Sequence, residues 1–273
     1  MTSSSPTKSM VNAKVSSVSN GDVVTKIFII GLPRTGTTSV SVALLERGYK
    51  VAHQAFTKQA FELADVISDA PCFSDYSQLD KLFPGSKFVY LDRSMETWVP
   101  SMQMLLSRML VHLDDKTGRF NTILKRSFNH SFGVNRVENP MDSEHLIQSY
   151  QAHKQQVFDY FEGREELLSI DIGESGSLSR LLNFLELDAG SSDSDTSARS
   201  SSHKNSPHQS LSNQSFPHLN FPHLNFPHLN RGRNVASWDE YKHPNKISAN
   251  AAGPENRKYF DYKLAKPSPK VTT

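Results

Sequence analysis

One cysteine, Cys72, stands in a chain of 273 residues. A single thiol excludes a disulfide framework and any metal site built from several cysteines, and it fits a reducing compartment. Long apolar runs are missing too. No stretch approaches the roughly 18 consecutive apolar residues that a membrane-crossing helix needs, so no transmembrane segment is expected. The N-terminus has no compact apolar segment of the secretory-signal kind. A charge of one sign is also missing: 30 Lys and Arg against 28 Asp and Glu leave a net +2. That balance gives no electrostatic argument for nucleic acid as a partner. The apolar fraction of 37% is low for a chain folded throughout. The deficit is expected in the tails. Residues 1–23 are Ser-rich, with Lys8 and Lys14 and no acid before Asp22. They read as the disordered tail of a cytoplasmic protein, with a cleaved organelle transit peptide as the alternative.

The informative stretch is Lys26 to Leu45, KIFIIGLPRTGTTSVSVALL. Ile27 to Ile30 has the length and β-branched content of a buried strand. A turn follows at Gly31, Leu32, Pro33, Arg34, Thr35 and Gly36, and Thr37 and Thr38 open a helix expected to run to Glu46. A strand, a Gly-containing turn and a helix start direct backbone N–H groups into one concavity. Arg34 adds a cation and the two threonines add hydroxyls, which suits a multiply charged anion such as a phosphate ester. A nucleoside-triphosphatase loop would place Lys directly after the second Gly. Here Thr37 holds that position and the cation lies inside the loop.

Further along, Tyr49 to Ala52 reads as a short strand leading to His53, and Thr57 as the cap of a helix from Lys58 to Ile67. Asp75 to Phe83 reads as a helix, and Lys87 to Leu91 as a strong strand with Asp92-Arg93-Ser94 at its end. Helices are expected over 96–113, with Pro100 near the first turn, and over 143–162, capped by Ser143 or Asp142. Leu167 to Ile172 is a third clear strand and Leu178 to Leu187 a short helix. Strands separated by helical segments predict an α/β fold, a three-layer sandwich with a central parallel sheet of the P-loop type. Its ligand is expected at the C-terminal ends of the strands.

Composition divides the chain into a tail (1–23), a folded domain (24–188) and a Ser-rich flexible insert (189–215). Three copies of Phe-Pro-His-Leu-Asn follow (216–230), then a C-terminal extension (231–273) that either lies across the domain or stays mobile. A five-residue period matches neither helix nor strand, and each copy carries a proline.

A second anion-binding element follows the KFVYL strand. Arg93 stands at the strand end and Ser101 eight residues later, about two turns into the next helix, where both can reach one phosphate. The loop GLPRTGTT resembles the phosphosulfate-binding loop of the sulfotransferases, and FPGSKFVYLDRSMETWVPS resembles the segment that binds the 3′-phosphate of 3′-phosphoadenosine 5′-phosphosulfate (PAPS) in that superfamily. The resemblance extends over residues 24 to about 187, through Gly48-Tyr49, His53, Asp69-x-Pro71, Trp98 and SYQAHKQQVFDYFEGREELLSIDI. It is to a small-domain sulfotransferase-like family that tends to close on one Phe-Pro-His-x-Asn.

The resemblance implies PAPS as donor, with Leu32, Pro33, Arg34, Thr35, Gly36, Thr37 and Thr38 around its 5′ side. Arg93 and Ser101 would take its 3′-phosphate. Arg34 would stabilise the departing phosphate electrostatically. No metal is required. Related enzymes place a His or Glu base shortly after the first helix. His53 is then the first candidate, Glu62 the second, and Asp69 and Asp75 are further acids that could face the cleft. Apolar walls for a small-molecule, glycan or peptide acceptor are sought among Phe56, Phe61, Phe73, Met102, Leu106, Phe120 and Phe128. Two other readings stay open: a kinase-like phosphoryl transferase, and a catalytically silent nucleotide-binding or interaction protein on the same fold.

Overall fold

The run at Ile27 becomes the middle of a sheet. In the computed structural model, which describes residues 25–186, 226–227, 230–231, 234–235 and 238–252, strand β1 (Ile27–Ile29) lies between β3 (Val66–Ser68) and β4 (Lys87–Asp92). β2 (Val51–Ala52) pairs outside β3 and β5 (Leu167–Asp171) outside β4, giving the order β2-β3-β1-β4-β5 with every pairing parallel. Central strands of a parallel sheet are covered on both faces, which is why β1 and β4 are apolar without alternation. Ile27 and Ile29 face α1 (Thr37–Leu45) and α7 (Ser177–Glu186). Phe28 and Ile30 face α2 (Lys58–Leu63), α3 (Cys72–Leu82) and α6 (Ser143–Tyr160). The result is a parallel sheet flanked by helices on both faces. A third cluster joins α4 (Met95–Leu113) and α5 (Thr122–Phe132) to α3 and α6.

Capping sets several helix starts. Thr57 accepts from the N–H of Ala60, Asn121 from that of Ile123, and Asp142, rather than Ser143, from that of His145. Gly133, at φ 59°, closes α5. Pro100 falls at the sixth residue of α4, beyond the first turn where its missing N–H is without consequence.

The expected helix Lys58–Ile67 is corrected. It ends at Leu63, Ala64 is extended, and Val66–Ser68 forms β3. Pairing of β3 with β1 on one side and β2 on the other, and burial of the β-branched Val66 and Ile67, outweigh the helical spacing of Phe61, Ala64 and Ile67.

The 1–23 tail, the 189–215 insert and the Phe-Pro-His-Leu-Asn copies other than Phe226, Pro227 and Asn230 lie outside the described residues. Phe226 is buried with α1 and α7. Asn230–Arg231 (β6) pairs antiparallel with Asn234–Val235 (β7). Residues 238–252 lie along β2: Val51 donates to Asn245 O (3.0 Å), Ile247 donates to Val51 O (2.8 Å), and Phe56 donates to Ala249 O (2.8 Å). This strap covers an edge that β2 would otherwise present with unpaired backbone groups.

Phe88 is fully buried between Phe28 and Phe161, with ring centroids 5.4 and 4.8 Å away. Phe88→Ala is expected to cost about 3–5 kcal/mol. In urea unfolding this appears as a lower midpoint at unchanged slope.

Candidate active site

Five parallel strands end at one edge, and each end delivers a charged or titratable side chain there. His53 follows β2, Asp69 follows β3, the turn through Arg34 follows β1, Arg93 follows β4, and Asp171 closes β5 with Ile172 and Gly173 behind it. All of them line one cavity of about 440 Å³, with Thr37, Thr38, Ser94, Thr97 and Leu105. That volume falls in the usual range for ligand pockets, about 300–1,000 Å³.

The turn after β1 is held from outside. Thr35 Oγ1 donates to Leu32 O (2.7 Å), Trp98 Nε1 to Pro33 O (2.9 Å) and Arg93 Nη1 to Arg34 O (2.6 Å). Arg34 takes a left-handed φ of 72° and Gly36 one of 109°. A Cβ on Gly36 would stand 2.2 Å from Ile172 Cδ1 and displace that side chain, and the positive φ itself disfavours any other residue there. No side chain caps α1. Its first-turn N–H groups therefore look out on the cavity side of the turn, with the positive end of the helix dipole behind them.

Two guanidinium groups share this small volume. Burial, then Arg93 and Arg108, hold Arg34 below its ordinary pKa; burial holds Arg93 down as well. Like charges brought together out of water favour a bound anion. Arg34 Nε donates to Ser101 Oγ (2.8 Å) and Arg93 Nε to Thr97 Oγ1 (3.1 Å), which fixes both side chains. The Arg93 backbone is fixed in turn: its N–H donates to Tyr150 Oη (2.8 Å), and Tyr150 donates to Asp92 (2.6 Å).

On the other side His53 and Asp69 form a pair, with Nε2 3.6 Å from Oδ2. His53 Nδ1 lies 2.9 Å from Ser68 Oγ and 3.3 Å from Ser41 Oγ, and Nε2 lies 3.4 Å from Thr38 Oγ1. Burial first, then the charge of Lys246, lowers its pKa to about 4. Burial raises Asp69 to about 7, against the opposing effects of the Ala70 N–H and Arg34.

The remaining sequence-named residues are placed as follows. Leu32 is buried in the core beneath the turn, and Ser101 stands behind Arg34 rather than in the cavity wall. Glu62 is on α2, away from the cavity, paired with Lys58 at 3.3 Å on the exposed surface. Asp75 is fully buried and bonded to Arg126 and Ser74. None of the side chains sought as acceptor walls lines the cavity: Phe56, Phe61, Phe73, Met102, Leu106 and Phe128 are core, Phe120 packs half-buried against it, and Leu105 lines the cavity in their place. Asp171, Ile172 and Gly173 were not singled out from the sequence. The usable signal was LLSIDI followed by Gly, the same strand-end logic that marked Arg93. Among the described residues no group of three or more His, Cys, Asp and Glu side chains is arranged to hold a metal ion, and no helix is long and apolar enough to cross a membrane.

A family model described as a sulfotransferase domain matches residues 53–235, more than half of the chain. The matched span contains Arg93 and Ser101 and begins after the turn around Arg34. No curated protein matches the chain.

Asp69 gives a pH signature. An acid whose folded pKa lies above its unfolded value loses stability for the protein as pH rises from about 4 through about 7. Asp69→Asn removes that loss. The melting temperature of the variant relative to the wild type is expected to rise by on the order of a few degrees between pH 5 and pH 8. Differential scanning calorimetry at the two pH values measures it, and a constant difference contradicts it.

Proposed function

Because the chain belongs to the sulfotransferase domain family, we propose that it transfers a sulfuryl group from PAPS to a hydroxyl or amine of an acceptor. The observation that carries the reading is the joining of two arginines in one cavity. Arg34, in the turn after β1, and Arg93, at the end of β4, line the same space, and Arg93 Nη1 donates to the carbonyl of Arg34 at 2.6 Å. The turn is of the P-loop type in its strand–turn–helix setting, with Arg34 as the cation in place of a lysine after the second glycine.

In this reading the turn amides, Arg34, Thr37 and Thr38 hold the 5′ side of the donor, and Arg93 holds the 3′-phosphate. Ser101 serves the 5′ side through the bond that orients Arg34. The donor supplies an activated sulfuryl group. The protein supplies fixed positive charge where the leaving phosphate gains negative charge, which needs no reorganisation at the moment of reaction. The loop and the strand-end arginine fix the donor's orientation. The proton of the incoming hydroxyl or amine is taken on the His53–Asp69 side of the cavity, across from Arg93. Glu62, on the solvent side of α2, has no part in this scheme. Residues 24–188 with the strap 238–252 form the working unit, and the Ser-rich insert is dispensable for it.

Isothermal titration with adenosine 3′,5′-bisphosphate tests the reading. Micromolar binding without Mg²⁺ is expected, with ATP binding far more weakly. Arg93→Ala is expected to weaken the bisphosphate by about 10–100-fold, the loss of a charge-assisted phosphate contact. A chain lacking residues 189–215 is expected to bind unchanged. Tighter binding of ATP with Mg²⁺ than of the bisphosphate would instead favour the phosphoryl-transfer reading.

A further inference from the structure

The cavity holds two candidate proton acceptors, and their surroundings differ. His53 is engaged at both ring nitrogens, by Ser68 and Ser41 at Nδ1 and by Thr38 at Nε2. Its ring is buried and lies against the indole of Trp238 in the strap, with centroids 5.1 Å apart. Lys246 Nζ sits 4.7 Å over that same indole, held by the carbonyls of Trp238 and Tyr241. A proton added to His53 would therefore create a largely buried cation already faced by Lys246.

Asp69 is the opposite case. Its backbone takes a left-handed φ of 55°, uncommon for a residue with a side chain. Such strain clusters where a side chain must be aimed at a site. The side chain lines the cavity, and Oδ1 is buried with no hydrogen-bond partner. A carboxylate with one oxygen stripped of donors holds its charge poorly and binds a proton more strongly. The other oxygen, Oδ2, lies 3.6 Å from His53 Nε2.

We infer that Asp69 is the catalytic base of this site, receiving the acceptor's proton on Oδ2, and that His53 is a positioning residue packed against the C-terminal strap. The inference rests on the sulfuryl-transfer reading above. In the step, the acceptor O–H or N–H bond breaks and its proton passes to Asp69. The freed electron pair forms the bond to sulfur. The bond from sulfur to the bridging oxygen breaks, and its electron pair leaves on the 5′-phosphate beside Arg34. The charged and titratable groups facing Asp69 are Arg34 from the turn after β1, His53 from the end of β2 and Cys72 from α3, with Lys246 of the strap behind His53. The shift of Asp69 to about 7 places its deprotonation in the range where a base works best at neutral pH.

The experiment compares the wild type with Asp69→Asn and His53→Gln. Each is assayed for binding of adenosine 3′,5′-bisphosphate and for sulfuryl transfer from PAPS to water and to a panel of phenols, alcohols and amines across pH 5–9. Asp69→Asn is expected to bind the bisphosphate within about threefold of the wild type and to lose about 10²–10⁴-fold in transfer. Wild-type transfer is expected to rise with pH and level above about 7, and this limb should vanish in Asp69→Asn. His53→Gln should keep the limb and lose less than about tenfold. Carbon NMR of labelled aspartate in the ligand-free protein gives a second reading, with one carboxyl titrating near 7 in the wild type and missing from Asp69→Asn. Retention of the limb in Asp69→Asn with its loss in His53→Gln overturns the inference, as does an Asp69 carboxyl that titrates below pH 5. Wild-type protein that binds the bisphosphate yet sulfates nothing, water included, also overturns it while leaving the donor site standing. Failure to bind the bisphosphate removes the donor reading itself.

Discussion

Two carbonyl oxygens hold the site together. Those of Pro33 and Arg34 are taken by Trp98 Nε1 and Arg93 Nη1, both delivered by the segment after β4. With these carbonyls tied back on one side and the Thr35 N–H bonded to Leu32 O, the cavity side is left to the uncapped first turn of α1. The clamp is itself anchored. Trp98 is fully buried against Tyr150, at 4.8 Å between ring centroids, and Tyr150 fixes the Arg93 backbone and Asp92. Packing of α6 on α4 is thereby transmitted to the shape of the turn, and core substitutions around Trp98 act on the site as well as on stability.

The parallel sheet sets the electrostatics. With five strands running one way, every strand-end side chain arrives at the same edge, so two arginines, two carboxylates and a histidine face each other in a small volume. The protein manages the crowding by segregation. The cations lie on the turn and at the β4 end, tied to Ser101, Thr97 and the turn carbonyl. Burial keeps His53 uncharged and pushes Asp69 toward protonation. Positive potential is left where an anion would bind, with His53 and Asp69 on the wall opposite. The strap at 238–252 closes the outer edge of β2 and places Trp238 against His53, so a segment remote in sequence shapes one half of the cavity.

Legibility followed the range of the forces involved. The Arg34 turn and the β4 end were readable because each is a local device: an apolar strand, a residue or glycine that breaks it, and a charged group at a fixed offset. Strand β3, Val66–Ser68, was not readable as a strand. Phe61, Ala64 and Ile67 fall at helical spacing, and what ends α2 at Leu63 is the pairing of Val66–Ser68 with two other strands. Glu62 shared that fate: on a helix of six residues its side chain faces Lys58 and water. The sought apolar walls were core, because a phenylalanine near a site in sequence carries no information on which side of a helix the site lies.

By itself the sequence determined the fold class, the two arginine-bearing strand ends and their order along the chain, since these depend on neighbours within about ten residues. Tertiary structure alone decided that Arg34 and Arg93 meet, that Ser101 braces Arg34 rather than lining the cavity, and that Asp69 stands beside His53 with an oxygen buried and unpaired. Those facts depend on strand order and on a strap nearly two hundred residues downstream of His53. Strand order is set by which faces can be buried together, a property of the whole packed molecule that no local window of residues contains.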